Sequence, residues 1–573
     1  MLRLIEKIIY DDMKKIIKET FPEYKNWKTL EINKITDTKY GDFQTNFAMV
    51  NAKHFKKNPR EIASQLIQNS EKGEHIKKID CAGPGFINIY IKDDFLSEYL
   101  NKVGIEEYDF KDFQREGKVI LDYSSPNIAK RMHIAHLRST VIGDSIKRIF
   151  GYLGYETIAD NHLGDWGTQF GMLIVAYRKW LDKQNYEKDP VGELERLYIK
   201  FGKEAEKEKS LKEKAREELK KLQHGDKDNL QLWKEFVEVS LEEYKNIYNK
   251  LDIEFDTYHG ESFFHEIMPD VVEQLKEKEL IQKDKGALVH FFDENDNLHP
   301  AIIQKKDGAY LYTTSDLACI KYRVENYDKI NRMVYVTDIR QETHFKQVFK
   351  IAEELGWEEK YDFVAFGLME SKEGIFSSRK GNVIKLKDLI NKAVKKAKEI
   401  VDEKNPNLKN EMKDKISETV GIGAIKYNDL SQNRISPIHF DWDDMLNFEG
   451  NTAPYLQYVY VRVQSLLRMA EKKGIEYKKF SKIFLTNPTE RALALLIVQF
   501  PNTVKKAAEY YKPNIIADYL FNLAQAFNSF YNSLSILRED EKIMNSRILL
   551  SKKVAFIIKE GLNLLGIKVV EKM

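Results

Sequence analysis

Residues 122–138 read DYSSPNIAKRMHIAHLR, with His133 and His136 three residues apart and Asp122, Asn127 and Lys130 just upstream. The run before them, GKVILDY (Gly117–Tyr123), is apolar and β-rich and predicts a buried strand. SSPN breaks the run. Apolar residues then recur with helical spacing at Ile134, Leu137, Val141, Ile146, Ile149 and Leu153, so the two histidines open a helix. A helix N-terminus offers unpaired N–H groups and the positive end of a dipole, which suits a triphosphate. Imidazoles placed there can donate hydrogen bonds to charge building on a phosphorus. The pair can equally be read as ordinary helix-start residues. A metal site is a weaker account, because no cysteine and no third ligand at zinc-like spacing completes it. Elsewhere, Tyr312 and Asp316 stand four apart in YTTSD and share one face if a helix starts there. By themselves they read as core packing and a helix cap, and SSRKGN (377–382) reads as a basic turn.

Positioning such groups takes a sheet. Gly154 stops the first helix and YETIADN reads as the next strand. Strand–helix–strand within about 45 residues is a parallel βαβ unit, best placed in a doubly wound sheet. Residues 170–280 are predicted mostly helical, and the charged run at 203–221 reads as a solvated helix face with i,i+4 pairs. ALVHFF, AYLYTT, MVYVTD and FVAFGLM are strand-like and are expected to resume the sheet after an insertion. The expected fold class is α/β, a doubly wound, Rossmann-like parallel sheet with helical insertions. The expected domains are an α+β unit at 1–112, the sheet domain at 113–387 with insertions at about 170–300, and an all-α unit at 388–573.

The 573 residues, 42% hydrophobic and 32% charged, describe a well-solvated globular chain with room for several domains. A net charge of +2 neither requires nor excludes a polyanion partner, so RNA binding would need local basic patches. Cys81 and Cys319 are too few for a disulfide framework, and a reducing cytoplasm fits. The start, MLRLIEKIIYDDMKKII, is charged every few residues, unlike a signal or transit peptide, and the longest uncharged run, Ala492–Val504, is too short to span a bilayer.

The string SSPNIAK-x-x-H-x-x-HLRST resembles the class I aminoacyl-tRNA synthetases, and the arginyl-tRNA synthetase family in particular. So do NHLGDWGTQFG (161–171), DIRQETH (338–344), GNTAPYLQYVYVR (450–462) and the ending LNLLGIKVVEKM, while GDFQTNFAM and GPGFINIYI resemble that family's N-terminal domain. The resemblance implies ATP-dependent attachment of arginine to its tRNA through arginyl-adenylate, with the 2′ hydroxyl of the terminal adenosine as acceptor and a first step that needs bound tRNA. It implies catalytic roles for His133, His136 and Lys130, with Lys130 compensating for an incomplete second signature. It implies arginine binding by Asp122, Asn127, Tyr312, Asp316 and Gln341, and ATP binding by His133, Ala135, His136, Ser377, Arg379 and Lys380. It assigns the anticodon loop to the C-terminal helices, near Tyr458 and Met573, and the outer corner of the tRNA to residues 1–112. Mg²⁺ accompanies ATP in this reading, and the chain is expected to work as a monomer away from membranes.

The chain departs from the family pattern at two places. Ala135 stands where the family has glycine, so one Cβ intrudes where adenine packs and ATP is expected to shift slightly. The second signature has neither of its lysines, and Arg379 and Lys380 keep cations on that loop. A guanidinium offers a planar fork of five donors, so its pocket should present carboxylate and amide oxygens. Such a pocket rejects lysine by ~10⁴–10⁵ without editing, in keeping with the lack of any segment that reads as an editing domain. Two rivals share the histidine helix. One is a dinucleotide-forming nucleotidyltransferase, against which the length and YTTSD weigh; the other is a non-catalytic tRNA-binding paralogue.

Overall fold

The computed structural model describes residues 4–35, 40–102, 116–371, 374–375, 384–439, 445, 447, 450–480 and 482–573. Four strands form a parallel sheet: β1 (Lys118–Asp122), β2 (Glu156–Asp160), β3 (Ile330–Asp338) and β4 (Tyr361–Phe366), in the order β4-β3-β1-β2. Both faces are covered, which is why β1 reads as an unbroken apolar run. Val119 and Leu121 join the core on one face with α1 (Ile134–Tyr152) and the C-terminal helices. Ile120 joins a second core on the other face, with the helices Met268–Glu277, Tyr312–Asn326 and Glu342–Glu354. Alternation along one strand thus builds both layers. α1 lies close on the sheet because Gly143 has no side chain; a Cβ there would come within 2.2 Å of the Tyr123 ring.

Between β2 and β3 the chain runs through helices that include α2 (Pro190–Lys207), α3 (Lys227–Lys250) and α4 (Tyr312–Asn326). The strand-like segments here behave differently from expectation. Ala287–His290 pairs in a separate antiparallel sheet with Gln282–Asp284 and Ala301–Gln304, not in the main one. AYLYTT is not a strand: only Tyr310 makes a bridge, to Gln304, and α4 begins at Tyr312. Tyr, Leu and Thr are β-prone, but burial of Leu317 and Ile320 and a 2.5 Å bond from the Thr314 hydroxyl to the Ile303 carbonyl hold the segment as helix.

The N-terminal part is a four-stranded antiparallel sheet (Asn33–Lys34, Phe43–Thr45, Ile76–Ala82, Phe86–Ile91) packed with helices. Among the described residues, the chain from Leu386 onward forms helices and their connections, apart from Ile438–His439, which pairs in parallel with Met369–Glu370. The buried helices Asn410–Leu430, Ala453–Lys472, Asn514–Ser533 and Glu541–Leu564 carry this part. Arg491 ties it to the N-terminal sheet, donating to Asp42 at 2.7 and 2.8 Å and to Asp93 at 2.5 Å. Among the described residues, no helix is long and apolar enough to cross a membrane.

Candidate functional site

The site forms at the C-terminal edge of the parallel sheet, where β1 ends in Asp122 and β2 in Asp160, side by side in register. Repulsion between these carboxylates is relieved by Arg323 from α4, whose Nη2 donates to both at 2.7 Å. Asp122 also accepts from the Ser125 hydroxyl at 3.3 Å, so most of this candidate arginine ligand is engaged within the chain.

After β1 the backbone turns through Ser124, Ser125 and Ala129, all at positive φ (75°, 46° and 62°). Non-glycine residues rarely adopt this conformation, and the surroundings must hold it. The Ser124 N–H donates to the Ser139 hydroxyl at 2.8 Å, and the Ser125 N–H to Asn161 Oδ1 at 3.1 Å. Tyr244 donates to the carbonyls of both Asn127 and Lys130, at 2.7 and 2.6 Å. Asn127 bridges to Gly164, where a Cβ would meet Asn127 Oδ1 at 2.2 Å, so NHLGDWG needs its glycine for this approach. Asn127 itself is left exposed at the surface of the turn.

His133 caps α1 and His136 sits in its first turn, with ring centroids 3.9 Å apart. The His133 N–H donates to His136 Nδ1 at 3.0 Å, which puts the His136 proton on Nε2, ready to donate outward. Burial, with Lys130 close by, holds His133 down to about 4. Burial, then His133 and Lys130, hold His136 down to about 3. Both rings are therefore neutral donors at pH 7. Lys130 is also pushed below the ordinary lysine value by burial, against the pull of Glu195. Its Nζ lies 4.6 Å from the centre of the Tyr198 ring on α2 and has no hydrogen bond or ion pair among the described residues. Ala135 is partly exposed beside the histidines. Ser377, Arg379 and Lys380 lie outside the described residues. The chain on their far side returns to this corner: the Ile134 N–H donates to the Ile384 carbonyl at 3.0 Å, and Lys385 bridges to His133.

The second half of the site is acidic. Tyr312 and Asp316 lie on the first turn of α4, and Asp316 meets His344 Nε2 at 2.5 Å. Tyr312 is 70% exposed, a surface side chain rather than core packing. Gln341 ends the short turn Ile339–Gln341 and is exposed. Sequence reasoning missed Glu261, which is lifted by burial to about 7, opposed by His162 and reinforced by Asp316 and Asp165. The Tyr312 phenol, although the residue is largely exposed, is raised by partial desolvation and then by Glu261, Asp316 and Tyr198, which places these four groups in one electrostatic neighbourhood. His162, stacked on Phe264 at 5.4 Å, leaves its Nδ1 without a hydrogen-bond partner among the described residues. No spacing rule links Glu261 or Tyr198 to α4; only tertiary structure unites them.

Asp122, His162 and Cys319 could converge on one ion, their ligand atoms lying within 4.8 Å of one another. The set suits neither Mg²⁺ nor zinc. The thiol is buried and held well above its ordinary value, hence protonated, and Arg323 already occupies Asp122. In the helical part, Tyr458 is exposed with the Arg462 guanidinium 5.1 Å from its ring centre. Tyr460 is buried and donates to Glu571, Tyr455 accepts from Asn528, and Met573 packs partly buried.

Comparison with known proteins gives one consistent result. Residues 4–91 match the family model for the arginyl-tRNA synthetase N-terminal domain, 100–442 that for the catalytic domain of class I (R) tRNA synthetases, and 456–573 that for the DALR anticodon-binding domain. An arginine–tRNA ligase of Fusobacterium nucleatum is 52% identical over 573 residues, covering all of both chains. One of Halothermothrix orenii is 42% identical over 91% of each. Among solved structures, arginyl-tRNA synthetase from Plasmodium falciparum superposes with a TM-score of 0.85 at 30% identity over the whole of both chains. The Thermus thermophilus arginyl-tRNA synthetase shares the fold, with a TM-score of 0.83 at 22% identity.

Proposed function

The chain belongs to the class I arginyl-tRNA synthetases, and from that footing we propose how its own residues serve the reaction. The reaction is ATP-dependent attachment of arginine to its tRNA. The arginine carboxylate attacks the α-phosphorus of ATP, pyrophosphate leaves, and a ribose hydroxyl of the terminal adenosine then displaces AMP from the arginyl-adenylate.

In the proposed assignment ATP lies along the start of α1. His133 and His136 donate neutral N–H groups to the phosphates, and Lys130 supplies positive charge as pyrophosphate departs. Ser377, Arg379 and Lys380 complete this corner from the second signature loop, and Ala135 sets how closely adenine approaches. Mg²⁺ arrives on the ATP phosphates. Arginine lies in the acidic half. Asp316 and Glu261 take the guanidinium beside Tyr312, while Asn127, Gln341 and the open edge of Asp122 orient the α-amino end. Residues 1–112 and 388–573 grip the tRNA, with Tyr458 and Met573 at the anticodon loop. All these groups come from one copy of the chain, and we take it to act as a monomer in the cytoplasm.

One observation carries this reading: a half-buried ammonium, Lys130, stands beside two neutral imidazoles with no counter-ion among the described residues. A buried cation without a partner is costly unless an anionic ligand supplies one. The test is Lys130→Met, assayed by ATP–pyrophosphate exchange with tRNA present. A fall in kcat of ~10² with arginine KM little changed is expected. Exchange at the wild-type rate overturns it.

A further inference from the structure

We propose that Tyr198, on the insertion helix α2, is the positioning residue that holds Lys130 at the ATP corner. The inference rests on the reading of Lys130 as the charge partner of ATP. The contact is the 4.6 Å approach of Nζ to the ring centre, and among the described residues the ammonium has no hydrogen bond or ion pair beside it.

The way α2 is anchored argues that this contact is fixed. Asp189 caps α2, accepting from the Gly192 N–H at 3.2 Å, and it is paired with Arg131, the residue next to Lys130. Arg131 also reaches Glu243 of α3, at 3.8 Å. Buried Leu194, Leu197 and Phe201 flank Tyr198 on the inward side of α2, and their packing sets the rotation of the helix and holds the ring, partly buried, at its place. One end of α2 is thus locked to the segment that carries Lys130.

An aromatic ring does here what a carboxylate could not. A carboxylate in contact would neutralise the ammonium and compete with the triphosphate. A ring face attracts a cation through its quadrupole and keeps the charge available. The acid that acts on Lys130, Glu195, pulls on it only from beyond ion-pair contact. The insertion helix therefore belongs to the ATP-handling apparatus.

The test measures tRNA-dependent ATP–pyrophosphate exchange for the full chain and for Tyr198→Leu, Tyr198→Phe, Lys130→Met and the Tyr198→Leu/Lys130→Met double variant. Tyr198→Leu should lower kcat by about 10-fold with arginine KM within twofold. Tyr198→Phe, which keeps the ring, should stay within twofold of wild type, and the double variant should be no slower than Lys130→Met alone. Tyr198→Met replaces the leucine variant if the latter does not fold. Equal losses for Leu and Phe, or losses that multiply in the double variant, overturn the inference, because they mark the hydroxyl or general packing as the cause. If Lys130→Met is slow and Tyr198→Leu is not, this inference fails alone. If Lys130→Met runs at the wild-type rate, the reading of Lys130 has failed and the inference falls with it.

Discussion

The proposed ATP corner and the proposed arginine cleft lie at the same sheet edge, and burial acts on them in opposite chemical directions. At the corner it pushes two imidazoles and an ammonium down; in the cleft it pushes the Glu261 carboxylic acid up. For each of these four groups burial disfavours the charged form. In the proposed assignment each substrate brings the complementary charge: a polyphosphate to one half, a guanidinium to the other. The contrast teaches that the two halves are tuned by one physical effect, desolvation, and differ only in the sign of the groups placed there.

The largest effect should come from the corner. His136→Asn removes a donor aimed where charge develops and should lower kcat by ~10²–10³ in tRNA-dependent exchange, with arginine KM nearly unchanged. A change in KM alone would break the comparison, since His136 would then bind rather than stabilise. The cleft should respond the other way. Asp316→Asn removes one charged acceptor worth ~2 kcal/mol and should raise arginine KM about 30-fold, with a smaller change in kcat. A wild-type KM would move the guanidinium site elsewhere.

The two halves also differed in how far the sequence disclosed them. The corner is local: strand, turn and helix follow one another within 122–138, and apolar spacing marks each. The cleft is not. Tyr312 and Asp316 were legible as a pair on one helix, yet the β-prone run that leads into them masked where that helix starts. Arg323 reaches across 201 residues to Asp122 and 163 to Asp160, and no periodicity encodes such a contact. Glu261 sits in irregular chain, and no spacing links Tyr198, on the insertion helix α2, to Lys130. What stayed hidden is what only tertiary packing decides, including the internal pairing that occupies Asp122.

Glu261 gives the finest test of the contrast. Its carboxyl titrates at about 7, so roughly half is protonated at neutral pH before arginine binds. A guanidinium alongside favours the ionised form and lowers that value, so binding releases a proton. Affinity for arginine is therefore fully developed above the free-site value and lost as pH falls through it. Arginine KM should rise about 10-fold from pH 8 to pH 6 and level off above 8. His133 and His136 stay neutral across that window and add no slope of their own. Glu261→Gln should hold KM near its acidic-limb level at every pH. A wild-type profile without slope, or the same slope in the glutamine variant, would remove Glu261 from the cleft and leave Asp316 to carry the guanidinium alone.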